Sequence, residues 1–218
     1  MRDIDTVVFD LGGVLIDWNP RHLYRKLFEG DIAGMERFLS DVCSPSWNER
    51  QDAGRSFDEA IAHLLPQHSD QAHLITAFRD RWSEMLGGEI PGTVAVLSEL
   101  KAAGIRLYAL TNWSRETFPV ARTRFDFLRS FEGILVSGQE MLIKPDPAIF
   151  DLLFSRFNIQ PERSVFIDDS PRNVQCASTT GMQAVLFTDA SALRAALIRL
   201  GMPIAPGCAV TVTAREPG

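Results

Sequence analysis

This chain predicts an α/β fold, a parallel sheet with helices on both faces and an all-helical insertion, on three observations. Strands and helices alternate from residue 89 to residue 200, which is the pattern of a parallel sheet layered between helices. One apolar strand, residues 4–9, stands alone near the N-terminus and needs that later sheet for its partners. Between the two, residues 20–86 carry apolar residues at helical spacing and no convincing strand.

The first strand runs into Val7-Val8-Phe9-Asp10-Leu11-Gly12-Gly13-Val14-Leu15. An apolar strand thus ends in a carboxylate, and two glycines let the backbone turn sharply and approach a ligand. Helical spacing then marks residues 21–28, 32–39, 57–65 and 71–86. Ser56 with Glu59 forms a capping box, and Asp31, Ser69 and Asp70 are start signals for neighbouring helices. After Gly87-Gly88 and Pro91-Gly92 the pattern changes. A helix over 94–103 stops at Gly104, a strand follows at 105–110, a helix begins near Ser114, and 134–136 is a short strand. Pro145 and Pro147 open a helix that reaches Phe157. Strand 164–167, helix 171–180, strand 184–187 and helix 191–200 complete the alternation. The expected division is a core of residues 1–17 and 89–200, a helical block of residues 18–88, and a tail of residues 201–218. The tail is rich in proline and glycine, with one short strand expected at Ala209–Val212.

Composition excludes several classes. A net charge of -6 lacks the basic surface of a nucleic-acid binder. No apolar run reaches the length of a membrane span, and the charged start Met1-Arg2-Asp3-Ile4-Asp5 lacks the apolar stretch of a signal peptide. Cys43, Cys176 and Cys208 are odd in number and far apart, so neither a disulfide framework nor zinc spacing is visible. The expectation is a cytoplasmic protein, monomer or homodimer, whose partner is a small molecule rather than a nucleic acid or membrane. A small anion remains a fitting substrate, because a metal and local dipoles override the global sign.

Four polar groups stand at strand ends: Asp10, Thr111-Asn112, Lys144 just ahead of Pro145, and Asp168-Asp169-Ser170. In a parallel sheet such ends converge on one edge. Together they carry what phosphoryl transfer needs: a carboxylate to attack phosphorus, a cation and hydroxyl to hold the phosphate oxygens, and further carboxylates for a hard cation such as Mg2+. Each residue alone has an ordinary reading, Asp10 as a turn cap, Lys144 as a surface lysine and Thr111 as a strand-end hydroxyl. Paired acids after an apolar strand are costly unless neutralised, which favours a metal.

The runs Phe9-Asp10-Leu11-Gly12-Gly13-Val14-Leu15, Leu110-Thr111-Asn112, Lys144-Pro145 and Phe166-Ile167-Asp168-Asp169-Ser170 resemble the motifs of the haloacid dehalogenase-like hydrolase superfamily. In style they are similar to its helical-cap phosphatase branch and to bacterial glucose-1-phosphate phosphatase-like members. The resemblance spans residues 7–173. It implies a Rossmann-like core with a helical cap, Asp10 as nucleophile, and Mg2+ held by Asp10, the Gly12 carbonyl and Asp169, with Asp168 as a further ligand or a supporting group. It also implies Lys144 and Thr111 at the phosphate, helped by the Asn112 N–H, with Trp113 as a substrate-binding candidate. Packing is the default for Trp113, as for Trp18 and Trp47. Asn173 stands where many relatives carry an acid.

Gly12 departs from the pattern. Phosphatases of this family usually carry Asp there, as the general acid for the leaving group. Its loss points to good leaving groups, such as those of a sugar 1-phosphate, an acyl phosphate or an aryl phosphate. Asp17 is a candidate replacement, with a turn role as its default. The leading expectation is a Mg2+-dependent hydrolase of a small phosphate monoester, sugar phosphates included, working through an aspartyl-phosphate. One alternative is a metal-independent 2-haloacid dehalogenase, in which the halide needs no proton and Gly12 is no handicap. The other is a non-catalytic binding protein of the same fold. Retention of Asp10, Lys144 and the acidic pair favours the phosphatase.

Overall fold

A computed structural model describes residues 4–206. β1 (Thr6–Phe9) is buried along its whole length because it lies mid-sheet, with a parallel partner on each side. The chain turns through Gly12-Gly13 into β2 (Ile16–Trp18), and five helices follow: α1 (Arg21–Leu27), α2 (Ile32–Asp41), α3 (Pro45–Asp52), α4 (Phe57–Leu64) and α5 (Ala72–Asp80). β3 (Leu86–Glu89) then returns antiparallel to β2. Beyond it come α6 (Pro91–Ala102), β4 (Arg106–Thr111), α7 (Phe118–Arg124), β5 (Gly133–Val136), the short α8 (Ser137–Glu140) and α9 (Pro147–Phe157). β6 (Ser164–Asp168), α10 (Pro171–Thr179), β7 (Gln183–Leu186) and α11 (Ala190–Arg199) complete the described elements.

The main sheet runs β5-β4-β1-β6-β7, with every neighbouring pair parallel. Alternation along the strands divides its side chains between two faces. Val8, Tyr108, Leu110 and Phe166 pack against α9 and α10 through Ile149, Phe150 and Ala177. Val7, Phe9, Leu107 and Ile167 join α6 and α11 on the other face through Val96, Leu97 and Leu193. This is the expected three-layer α/β core.

The helical block between β2 and β3 has an aromatic centre of its own. Tyr24 packs on Phe38 at 5.1 Å between ring centroids, and Trp47 meets Phe78 edge-on at 5.1 Å. Each such buried ring contributes about 1.5–3 kcal/mol. The Ser56–Glu59 capping box forms as expected at the start of α4.

Three features of the helical block differ from the sequence expectation. The block is tied at its base by the β2–β3 ribbon, whose three- and four-residue strands are too short to show alternation. The helix expected over 71–86 stops at Asp80, and a tight turn of residues 82–85 leads into β3. α3 was not expected, since its sequence is almost wholly polar and buries only Trp47 and Gln51. Its start signals were present nonetheless: Pro45 fills the first turn and the Ser44 hydroxyl accepts from the Trp47 N–H at 3.2 Å. No helix among the described residues is long and apolar enough to cross a membrane. The strand expected at Ala209–Val212 lies outside the described residues.

Candidate active site

Parallel pairing brings the strand ends together. Phe9 is level with Ala109 on β4 and Ile167 on β6, so the next residues along, Asp10, Leu110 and Asp168, sit side by side at the carboxyl edge. The Asp10 N–H donates to the Ile167 carbonyl at 2.8 Å, which fixes the backbone at the point of departure from the sheet. The carboxylate Oδ1 accepts from the Leu11 N–H at 2.7 Å and lies 3.0 Å from Lys144 Nζ. Oδ2 has no partner among the described residues.

Lys144 is 1% exposed. Its ammonium reaches Asp168 Oδ2 at 2.7 Å and the Leu110 carbonyl at 2.9 Å, besides Asp10. The Asn112 side chain brings it there: Oδ1 accepts from the Lys144 N–H and Nδ2 donates to the Lys144 carbonyl, both at 2.9 Å. Asp168 is saturated, since it also accepts from Asn173 Nδ2 at 3.0 and 3.1 Å and from the Ser170 N–H at 2.8 Å. Thr111, at the end of β4, is buried, and its Oγ1 has no hydrogen-bond partner among the described residues. A buried hydroxyl left without a partner is costly, so this one points to a ligand.

The charge balance is uneven. Burial alone would lower the Lys144 ammonium, but Asp10 and Asp168 outweigh it and hold the group above its ordinary value. One cation cannot match two buried acids. Burial, with repulsion from Asp168, pushes Asp10 up to about 7 against the pull of Lys144. Asp169 is raised as well, by burial and then by Asp168.

This surplus of negative charge fits a divalent cation. Asp10, Asp168 and Asp169 each place a carboxylate oxygen within 4.8 Å of the others. Asp169 is seated against the glycine turn: a Cβ on Gly13 would stand 2.3 Å from its Oδ2. Gly13 also has φ +76, a conformation that costs other residues about 1–2 kcal/mol. We therefore expect Gly13→Ala to displace Asp169 as well as strain the turn. Thermal denaturation should show a lower Tm and a smaller rise on adding Mg2+. An unchanged Mg2+-dependent rise would break this link between Gly13 and the acids.

A cleft of about 50 Å3 lies beside this edge, between the helical block and the core. Gly12, Asn112 and Trp113 form its core side. Trp113 is nearly buried, donates its indole N–H to Thr117 Oγ1 at 3.1 Å and packs on Trp82 at 5.5 Å, so it is both packed and at the cleft. Trp18 also lines the cleft, whereas Trp47 belongs to the aromatic centre of the block. Asp17 is held by His22 at 2.9 Å on the ribbon and does not line the cleft.

Sequence reasoning missed Asp52 and Ser137. Asp52 ends α3 and lines the cleft. The Ser137 hydroxyl donates to the Asp52 carbonyl at 2.6 Å and accepts from the Trp113 N–H at 2.9 Å, tying the helical block to the loop after β4. The Ser44-Pro45 start signal could have revealed α3, and with it Asp52. Nothing local in the sequence marks Ser137.

The haloacid dehalogenase-like hydrolase family model matches residues 4–179. Over 189 residues the chain is 26% identical to a sesquiterpene phosphatase of Aspergillus oryzae, covering 85% of this chain and 90% of that protein. It is also 26% identical over 192 residues to a phosphorylated carbohydrates phosphatase of Thermotoga maritima, covering 84% of each. Among solved structures, a HAD family enzyme of Bacteroides thetaiotaomicron in complex with magnesium and inorganic phosphate superposes with a TM-score of 0.64 at 22% identity, covering 85% of this chain and 95% of that one. With the strand-end residues in place on this fold, the chain belongs to the haloacid dehalogenase-like hydrolases.

Proposed function

We propose that the chain is a Mg2+-dependent phosphatase acting on a phosphate monoester of a small metabolite, with sugar phosphates the first class to test. The observation that carries this reading is the pairing of two unengaged groups at adjacent strand ends. Among the described residues, Asp10 keeps Oδ2 free while Leu11 and Lys144 hold Oδ1, and Thr111 Oγ1 is buried without a partner. Asp10 Oδ2 attacks phosphorus to give an aspartyl-phosphate. The Thr111 hydroxyl and Lys144 ammonium hold the phosphate oxygens, and Asn112 sets the lysine backbone. Asp10, Asp169 and the Gly12 carbonyl would hold Mg2+, while Asp168, already saturated, keeps Lys144 in place. When bound, Mg2+ offsets the charge of the phosphoryl group. The helical block, residues 18–88, acts as a cap that keeps bulk water from the intermediate.

Two relatives named as phosphatases support this reading. The gathering of Asp10, Asp168 and Asp169 carboxylates within 4.8 Å favours it over a metal-independent dehalogenase. The test is phosphate release from p-nitrophenyl phosphate with Mg2+ and with EDTA, for the wild type and for Thr111→Val. Release should require Mg2+. Thr111→Val should lower kcat/KM about 10–10²-fold while Tm stays level or rises, because the hydroxyl has no protein partner to lose. Chloride release from 2-chloropropionate without phosphate release would support the dehalogenase. Turnover of neither substrate class would support the binding protein.

A further inference from the structure

The space that a general acid at position 12 would fill is open. A Cβ on Gly12 meets nothing within 4 Å among the described residues, and Gly12 is not in the left-handed region. The cleft continues from this space to the helical block. Of the residues lining it, Asp52 is the one that carries a carboxyl group. We propose that Asp52 is the general acid of the reaction, delivering the leaving-group proton from the helical block in place of the acid missing at Gly12. This rests on the phosphatase reading and extends it to the substrate, which becomes the phosphate of an ordinary alcohol.

Asp52 is fixed rather than left on a free loop. Asn48, one helical turn earlier, donates to Asp52 Oδ2 at 3.1 Å. The backbone carbonyl of Asp52 is held by Ser137, which also receives the Trp113 N–H. Just beyond, Gly54 lies so close to α8 that a Cβ there would be 3.0 Å from Met141 Cγ. The helical block therefore presents this carboxyl group at a set position above the loop that follows β4.

Its surroundings suit the role. Burial raises the group first, the Glu49 carboxylate on the same helix second, and Asp10 across the cleft adds to both. The Ser114 N–H and Lys144 pull the other way, and the balance is a group pushed up to about 7. Asp52 is thus protonated at neutral pH often enough to donate, and basic enough afterwards to accept.

The protons balance over two steps. Asp10 Oδ2 bonds to phosphorus, the bond from phosphorus to the leaving oxygen breaks, and that oxygen takes the Asp52 proton to leave as an alcohol. Water then attacks phosphorus and gives one proton to the Asp52 carboxylate. The bond between phosphorus and Asp10 breaks, which restores both carboxyl groups and releases inorganic phosphate.

The test compares a poor and a good leaving group. Asp52→Asn should lower kcat/KM for an alkyl phosphate such as glycerol 3-phosphate about 10²–10⁴-fold. It should change kcat/KM for p-nitrophenyl phosphate only a few-fold. Gly12→Asp in the same background should restore much of the alkyl activity. Equal loss on both substrates, or no loss on either, would overturn the proposal, because a merely structural Asp52 cannot discriminate by leaving group. If Asp52→Asn folds poorly, the wild type decides: its kcat/KM should vary little with leaving-group acidity, and a steep fall toward alkyl phosphates would overturn the assignment. Failure of the phosphatase reading is separate, since it appears as no Mg2+-dependent aryl phosphate turnover by the wild type at all.

Discussion

Asp10→Asn is expected to abolish turnover and, in the absence of metal, to stabilise the protein. The loss should be about 10⁴-fold or more, as for removal of other covalent nucleophiles. The stability gain follows from the raised Asp10 group. Its value in the fold is about 7, against 3.8 for the ordinary carboxyl group. Between those values the folded chain keeps a proton that the unfolded chain has lost, so stability falls as pH rises. This loss is complete above about pH 7 and absent below about pH 4. Asn carries no such dependence. In EDTA, the Tm of Asp10→Asn should therefore exceed that of the wild type at about pH 8 and converge with it near pH 4. Asp52, raised to about 7 in part by Asp10, adds a dependence of the same sign that is smaller in the variant, so it widens the difference in the same direction. Melting curves that stay parallel over the whole range would contradict this account of Asp10.

Lys144→Met should cost both stability and turnover. It would leave the Asp10 and Asp168 carboxylates buried, at 8% and 0% exposure, without their shared cation. Breaking a buried pair on one side costs about 3–5 kcal/mol. Loss of the positive charge at the phosphate should slow turnover by about 10²–10³-fold. Adding Asp10→Asn should recover part of the stability and none of the activity, since it removes one of the two stranded acids. Urea unfolding of the single and double variants measures the coupling. Additive effects would mean that Lys144 and Asp10 do not share the proposed charge balance.

What could be read from the sequence was local. Asp10, Thr111 and Asp168 end apolar strands, and a parallel sheet brings such ends together whatever the details of the fold. Lys144 could be placed by its position before Pro145 and a helix. The identity of its partners could not, because Asp168 and Asp169 are adjacent in sequence and only the side-chain contacts separate them. Asp168 turns to Lys144 and Asn173, while Asp169 turns to Gly13.

The contribution of the helical block was hidden for a different reason. α3 has no apolar stripe, so periodicity passes over it, and Asp52 reads as one more solvated acid. Its position depends on Ser137, which lies 85 residues away. The β2–β3 ribbon was equally illegible, since its strands pair across the whole helical block. Gly12 was visible as an absence. The structure adds that the space beside it is open and that a carboxyl group stands across the cleft.

In the proposed mechanism Asp10 carries the phosphoryl group. The most direct test is to quench the enzyme during turnover of a phosphate monoester with Mg2+, reduce with borohydride and map the peptides by mass spectrometry. An acyl phosphate is reduced by this treatment, whereas a free carboxylate is not. Reduction at Asp10, dependent on substrate and absent with EDTA, is the result expected. Phosphate release at full rate with Asp10 unmodified, or with the modification on another residue, would contradict the account.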